Sequence, residues 1–175
     1  MRGVPRIGAR LRLLGIDDDA RAEMQRFLPI LVAGLDHIIE RFYAHMFSLP
    51  EGRHIFGDPG VVERLKVRQK AHWLRLFSST FDDDYVSGAI KVGEVHYVQA
   101  IPPYLYIAGY NFFHCELIRL VCDAVPSRLV PRVLAAFTRV VSLDMDLALS
   151  AYTREYWKSV TASHRAGTIV EIVED

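Results

Sequence analysis

Residues 30–47 carry apolar side chains at helical spacing. Leu31, Leu35, Ile38, Phe42 and Met46 form one stripe, and Val32, Ile39, Tyr43 and Phe47 form a second beside it. An apolar arc this wide predicts a helix buried on two sides. Ahead of it, Asp17 or Asp18 can cap a helix that reaches Leu28, with Pro29 marking a break or the first turn of the next helix. Leu49-Pro50 ends the apolar helix, residues 51–56 make a short turn, and Asp58-Pro59 starts a helix that runs to about Ser79. Two lines of side chains run along that helix. Val61, Leu65, Arg68, His72 and Leu76 share one, and Val62, Leu65, Gln69, Trp73 and Leu76 share the other. Arg68 is thus flanked by core-facing positions, where a long cationic side chain ordinarily snorkels to the edge.

Phe81 and the acidic run Asp82-Asp83-Asp84 open the next helix, with acid favoured at its positive end. Tyr85, Ala89, Val92 and His96 share one face of it, and it ends near Gln99. Pro102-Pro103 makes a corner, and an aromatic-rich helix follows to about Asp123. After a turn at Val125-Pro126-Ser127, a last helix from about Arg128 to about Ala162 would span roughly 50 Å. No strand alternation, repeat or low-complexity run interrupts this order, so the class is all-α. Residues 1–17 read as an arm or a short extra helix, 18–162 as the folded body, and 163–175 as the start of a linker.

A chain of 175 residues suits one domain with a sizeable core. Its 21 basic and 21 acidic residues cancel, which argues against a dedicated nucleic-acid or anionic-membrane surface. There is no secretory signal. Val95 to Cys115 contains no Asp, Glu, Lys or Arg, but the proline pair divides it, and it holds His96, Gln99, Asn111 and His114. It therefore reads as two buried segments and not as a membrane span. Cys115 and Cys122 lie about 10 Å apart along one helix, too far for a disulfide. As free buried thiols they fit a reducing, cytoplasmic compartment.

Phosphate-cradling loops, a GxSxG motif and zinc-spaced ligands are absent, and paired carboxylates occur only at helix starts and on solvent faces. A hydrolase has little support. Two residues stand out instead. His96 projects from an apolar face, as a hydrogen-bonded core histidine or as a ligand for a metal or a haem iron. Tyr43 lies inside the apolar arc, either bonded to backbone or aimed into a ligand pocket. With many Phe, Tyr and Leu residues around them, these are the parts that a haem pocket needs.

Three strings, ERFYAHMF (40–47), ERLKVRQKAHWLRLF (63–77) and KVGEVHYVQAIPPYLYIAGY (91–110), resemble the globins. More narrowly they resemble the globin-coupled sensors, bacterial haem domains that report gas binding to an attached output domain. The resemblance covers roughly Asp18 to Trp157. It implies a globin-like helical fold in the sensor variant, with an extra N-terminal segment and a long C-terminal helix. It implies haem b with His96 as proximal ligand, Tyr43 donating to bound oxygen, and Leu65 gating the distal side. Phe42, Val61, Gln69, Val92, Val95, Leu105 and Tyr106 would line the cofactor. The family commonly has serine or threonine where Arg68 stands, so Arg68 would either enter the pocket or reach a haem propionate. Glycine is common where Ala100 stands, and tryptophan where Leu105 stands.

The implied function is a gas sensor that binds O2, and CO or NO, without being an enzyme itself. It would act as a homodimer through its last two helices and signal to a C-terminal output domain such as a diguanylate cyclase. Two alternatives stand beside it. One is a six-coordinate haem protein for redox sensing or electron transfer, with His72 or Arg68 reaching the iron. The other is a cofactor-free helical dimerisation module with His96 as a satisfied core residue.

Overall fold

A computed structural model describes residues 7–78 and 80–165 as seven helices, with no strand among the described residues. They are α1 (Ile7–Leu14), α2 (Asp18–Ser48), α3 (Pro50–Ile55), α4 (Pro59–Ser78), α5 (Asp83–Val98), α6 (Pro103–Ala124) and α7 (Val130–Arg165). Residues 1–6 and 166–175, which hold most of the expected linker, lie outside the described residues.

The largest departure from the sequence pattern is at Pro29, where no break occurs. α2 is one helix with Pro29 inside it. The apolar phase runs through the proline: Ala20, Met24, Phe27, Leu31, Leu35, Ile38, Phe42 and Met46 are all buried. Burying that continuous stripe offsets the roughly 3 kcal/mol that an interior proline costs. Asp17 caps the helix by accepting from the Ala20 amide at 2.9 Å. The second apolar stripe is only half realised. Ile39 and Tyr43 are buried, but Val32 and Phe47 are 49% and 38% exposed, because they lie beyond the faces that α4 and α6 cover. The expected turn at 51–56 forms most of a short helix, with Pro50 in its first turn.

α2 runs through the middle and packs against α3, α4, α6 and α7, while α5 lies along α7. α4 buries Val62, Trp73, Leu76 and Phe77. Lys66 donates to Glu40 and Lys70 to Asp36, each at 2.7 Å, so the outer edge of α4 is tied to α2. The other line of α4, with Val61, Leu65 and His72, is left half-buried at the edge. α4 and α5 rest on α2 and α7, with at most a weak contact between their own backbones. α1 docks on α7, where Arg10 pairs with Asp146 and donates to Ser150 at 3.2 Å.

α6 turns Phe113, Leu117 and Val121 into the core. Cys115 and Cys122 fall on the opposite side, free and exposed. The expectation of buried thiols is therefore wrong: an apolar stretch was read as buried all round, whereas only one face of α6 meets the body. No described helix is long and apolar enough to cross a membrane.

Candidate functional site

His96 sits in the last turn of α5, half-buried. Its Nδ1–H donates to the carbonyl of Val92, one turn back, at 2.8 Å. A carbonyl accepts only, so this bond settles the tautomer and leaves Nε2 as the lone-pair nitrogen. Nε2 has no hydrogen-bond partner among the described residues. Burial holds the imidazole below its ordinary 6.5, the charge of His72 adds to this, and the Val92 bond opposes it. A neutral ring with one anchored and one free nitrogen is what metal ligation requires.

The backbone beyond His96 fixes its seat. The Ile101 amide donates to the His96 carbonyl at 3.0 Å and the Ala100 amide to that of Tyr97 at 2.9 Å. This pair of bonds is the helix-ending Schellman arrangement, which needs a left-handed residue just past the cap. Ala100 takes that place at φ 53°. The helix is also seated close to α7: a Cβ at Gly93 would lie 2.1 Å from the Ala148 carbonyl oxygen.

Of the residues expected around a cofactor, Val92 is half-buried beside His96, and Val95 is 47% exposed. Tyr106, on α6, is buried with its ring edge-on to His96 at 4.8 Å. Leu105 is half-buried at the start of α6. On α4, Val61, Leu65 and Gln69 are half-buried. The Gln69 Oε1 is buried with no partner. Arg68 is exposed, placing its guanidinium at the rim.

Phe42 and Tyr43 come from α2. Phe42 packs against Tyr43, Phe112 and Phe113. The Tyr43 ring, 4% exposed, meets Phe56 edge-on at 5.3 Å. Burial pushes the Tyr43 hydroxyl up to about 12, so it stays an uncharged donor at neutral pH. It makes no hydrogen bond among the described residues.

The spacing of polar residues did not reveal a buried cluster where α4, α5, α6 and α7 meet. Asp144 of α7, 0% exposed, accepts from Tyr85 at 2.5 Å, from Nε2 of His72 at 2.8 Å and from Tyr110. Tyr110 in turn accepts from Tyr106 at 3.0 Å. Burial alone would push His72 below its ordinary 6.5, but the Asp144 charge and hydrogen bond outweigh this and hold it above. Burial would likewise lift Asp144, yet His72 and the tyrosine hydroxyls keep its carboxyl below the ordinary 3.8. One sequence signal could have found it: an acid on the apolar stripe that contains Val140, Val141, Leu147 and Ala148.

A free imidazole nitrogen, apolar side chains on three helices and an orphaned amide oxygen suit a flat, mostly apolar group carrying a metal. No cluster of His, Cys, Asp and Glu able to hold a bare ion occurs among the described residues.

The chain is 26% identical over 162 residues to the heme-based aerotactic transducer HemAT of Halobacterium salinarum, covering 86% of this chain and 33% of that protein. It thus spans about a third of that relative's length. The globin domain of the Geobacter sulfurreducens globin-coupled sensor superposes with a TM-score of 0.77 at 16% identity, over 83% of this chain and 96% of that one. The ferric globin domain of E. coli DosC gives 0.66 at 20% identity, over 83% and 97%. The helical order, including the α1 extension and the long α7, is that of a sensor globin domain. The sequence model of one family matches residues 5–158, almost all of the described helices, and the chain therefore belongs to that family, Protoglobin.

Proposed function

We propose that this domain holds haem b through His96 and senses a diatomic gas, O2 foremost, with CO and NO as further ligands. The observation that carries the reading is the His96 ring itself: Nδ1 is anchored to Val92, and Nε2 has no partner among the described residues. When bound, the haem would supply an iron able to take up a diatomic gas, with His96 holding it. Val92, Val95, Leu105 and Tyr106 would wall it on the His96 side, and Phe42, Val61, Leu65 and Gln69 on the other. Tyr43 offers an uncharged O–H to a ligand that gathers negative charge, which favours O2 over the less polar CO. The rim position of Arg68 suits a propionate carboxylate better than the gas.

His72 is held by Asp144, which supports an open sixth position over a second internal ligand. Signalling would follow from motion of α5 into α6 and α7, whose outer faces, with Ile118 and both thiols exposed, would pair with a second copy. The similarity to part of an aerotactic transducer supports an output region elsewhere and a cytoplasmic setting.

The absorption spectrum of the reduced protein, before and after CO or O2, tests the reading. We expect a Soret band, five-coordinate ferrous haem, and a gas-dependent shift. His96→Ala should lose haem or regain it with added imidazole. Normal five-coordinate ferrous haem in that variant would rule His96 out as the ligand.

A further inference from the structure

Asp144 brings four helices to one carboxylate. Its donors are His72 from α4, Tyr85 from α5 and Tyr110 from α6, and it stands on α7. α5 carries His96, α6 carries Tyr106 against its ring, and α7 is the long helix. A buried charge is not needed to close this core. Its neighbours Leu143 and Leu147 are fully buried, and replacing a buried ion pair by apolar side chains is often neutral or stabilising. What the carboxylate adds is direction. Apolar contacts tolerate sliding, whereas hydrogen bonds weaken steeply when bent. The Pro102-Pro103 corner links α5 to α6 only. Asp144 is where the Tyr43-side helix α4 and the His96-side helix α5 meet one carboxylate, His72 at Oδ2 and Tyr85 at Oδ1.

We infer that Asp144 is a positioning residue of the gas site, through which displacement of α4, α5 or α6 on ligation is passed to α7. This rests on the haem reading above and adds the residue that carries its regulation. Tyr110 has a second role in the same relay, because its other partner, Tyr106, abuts His96. Small shifts are transmitted by such a cluster because its hydrogen-bonded arrangement is discrete and centred on a fully buried carboxylate.

The test uses the full, haem-loaded ferrous chain, with and without CO. Hydrogen exchange is read by mass spectrometry on peptides covering residues 140–150 of α7. In the wild-type protein we expect exchange in this region to change on CO binding. In Asp144→Asn and in Tyr110→Phe that CO-dependent difference should fall by about threefold or more while the Soret band and CO uptake persist. Tyr85→Phe and Tyr110→Phe each remove one hydroxyl and no volume to speak of, so they serve if Asp144→Asn fails to fold. A merely structural role would speed exchange equally in both states and leave the difference intact, which would overturn the inference. So would a wild-type α7 indifferent to CO. A colourless wild-type protein would remove the haem reading, and this inference with it, and absorption alone distinguishes that case.

Discussion

Gly93→Ala tests whether α5 is seated backbone to backbone on α7. Gly93 lies one turn before His96, and an added Cβ there would stand 2.1 Å from the Ala148 carbonyl oxygen, 2.8 Å from its carbon and 2.9 Å from its Cα. Non-bonded carbon contacts ordinarily settle near about 3.5 Å, so α5 must retreat by about 1 Å. Neither partner is a side chain that can rotate away. Overpacking of this kind costs about 1–3 kcal/mol, and the better helix propensity of alanine returns about 1 kcal/mol. A backbone contact belongs at the upper end, so the net loss is about 1–2 kcal/mol. Gly88, on the same helix, is the control. Its Cβ would meet only the Arg75 guanidinium, Nη1 at 3.3 Å and Cζ at 3.8 Å, the far end of a flexible chain. Gly88→Ala should therefore gain about 0.5–1 kcal/mol. The two variants should differ in melting temperature by about 4–10 °C at equal haem occupancy, with opposite signs relative to wild type. Gly93→Ala should also weaken haem binding, measured by transfer to apomyoglobin, whereas Gly88→Ala should not. Equal stability of the two variants would refute the close seating of α5.

Tyr43→Phe should speed O2 release by about tenfold or more in stopped-flow and change CO release less, while Arg68→Ala, exposed at the rim, should leave both within about twofold. The reverse ranking would place the guanidinium and not the phenol at the gas. Ala100→Gly should stabilise the fold by about 0.5–1 kcal/mol in urea titrations, because glycine removes the left-handed strain at φ 53° and gives back part of it as unfolded-chain entropy; a loss of stability would show that the Ala100 methyl packs. The buried pair makes stability pH-dependent on both sides. Asp144 lies below its ordinary 3.8, so its contribution is present above that value and is lost as pH falls through its depressed folded range. His72 lies above its ordinary 6.5, so its contribution is complete below 6.5 and is lost as pH rises through its raised folded range. Urea midpoints between pH 5 and 9 should decline on the alkaline side in wild type and decline less in His72→Gln.

The elements most legible in the sequence were those whose apolar phase agrees with local punctuation. Asp82 before α5 and Pro103 at the start of α6 are real helix starts, and Asp82 caps by accepting from the Tyr85 amide at 2.8 Å. Pro29 misled because local chemistry and tertiary burial disagree there, and burial wins. Val32, Phe47 and the two cysteines misled for a different reason. Periodicity says which residues share a face, but not how much of that face a neighbouring helix covers. His96 and Tyr43 were visible as polar atoms on apolar faces. The half-buried line of α4 could only be placed once α5 was seen to stand off from it.

The features that escaped the sequence pattern have something in common. Gly93 is a glycine in a helix interior, Asp144 is an acid on an apolar stripe, and Ala100 is an alanine with left-handed backbone. Each breaks a local rule, and each would be less stable than an ordinary alternative if local preference alone decided. All three also bear on His96. Gly93 lets its helix touch α7, Ala100 closes the turn that holds its carbonyl, and Asp144 reaches its ring through Tyr110 and Tyr106. Local rules are broken where function sets the geometry. Rule-breaking is not confined to this site, since Pro29 lies inside α2, Phe81 has φ 60° and Glu23 and Glu116 are buried. What sets these three apart is that each bears on the same imidazole, and it is on this that the proposed ligand role of His96 draws.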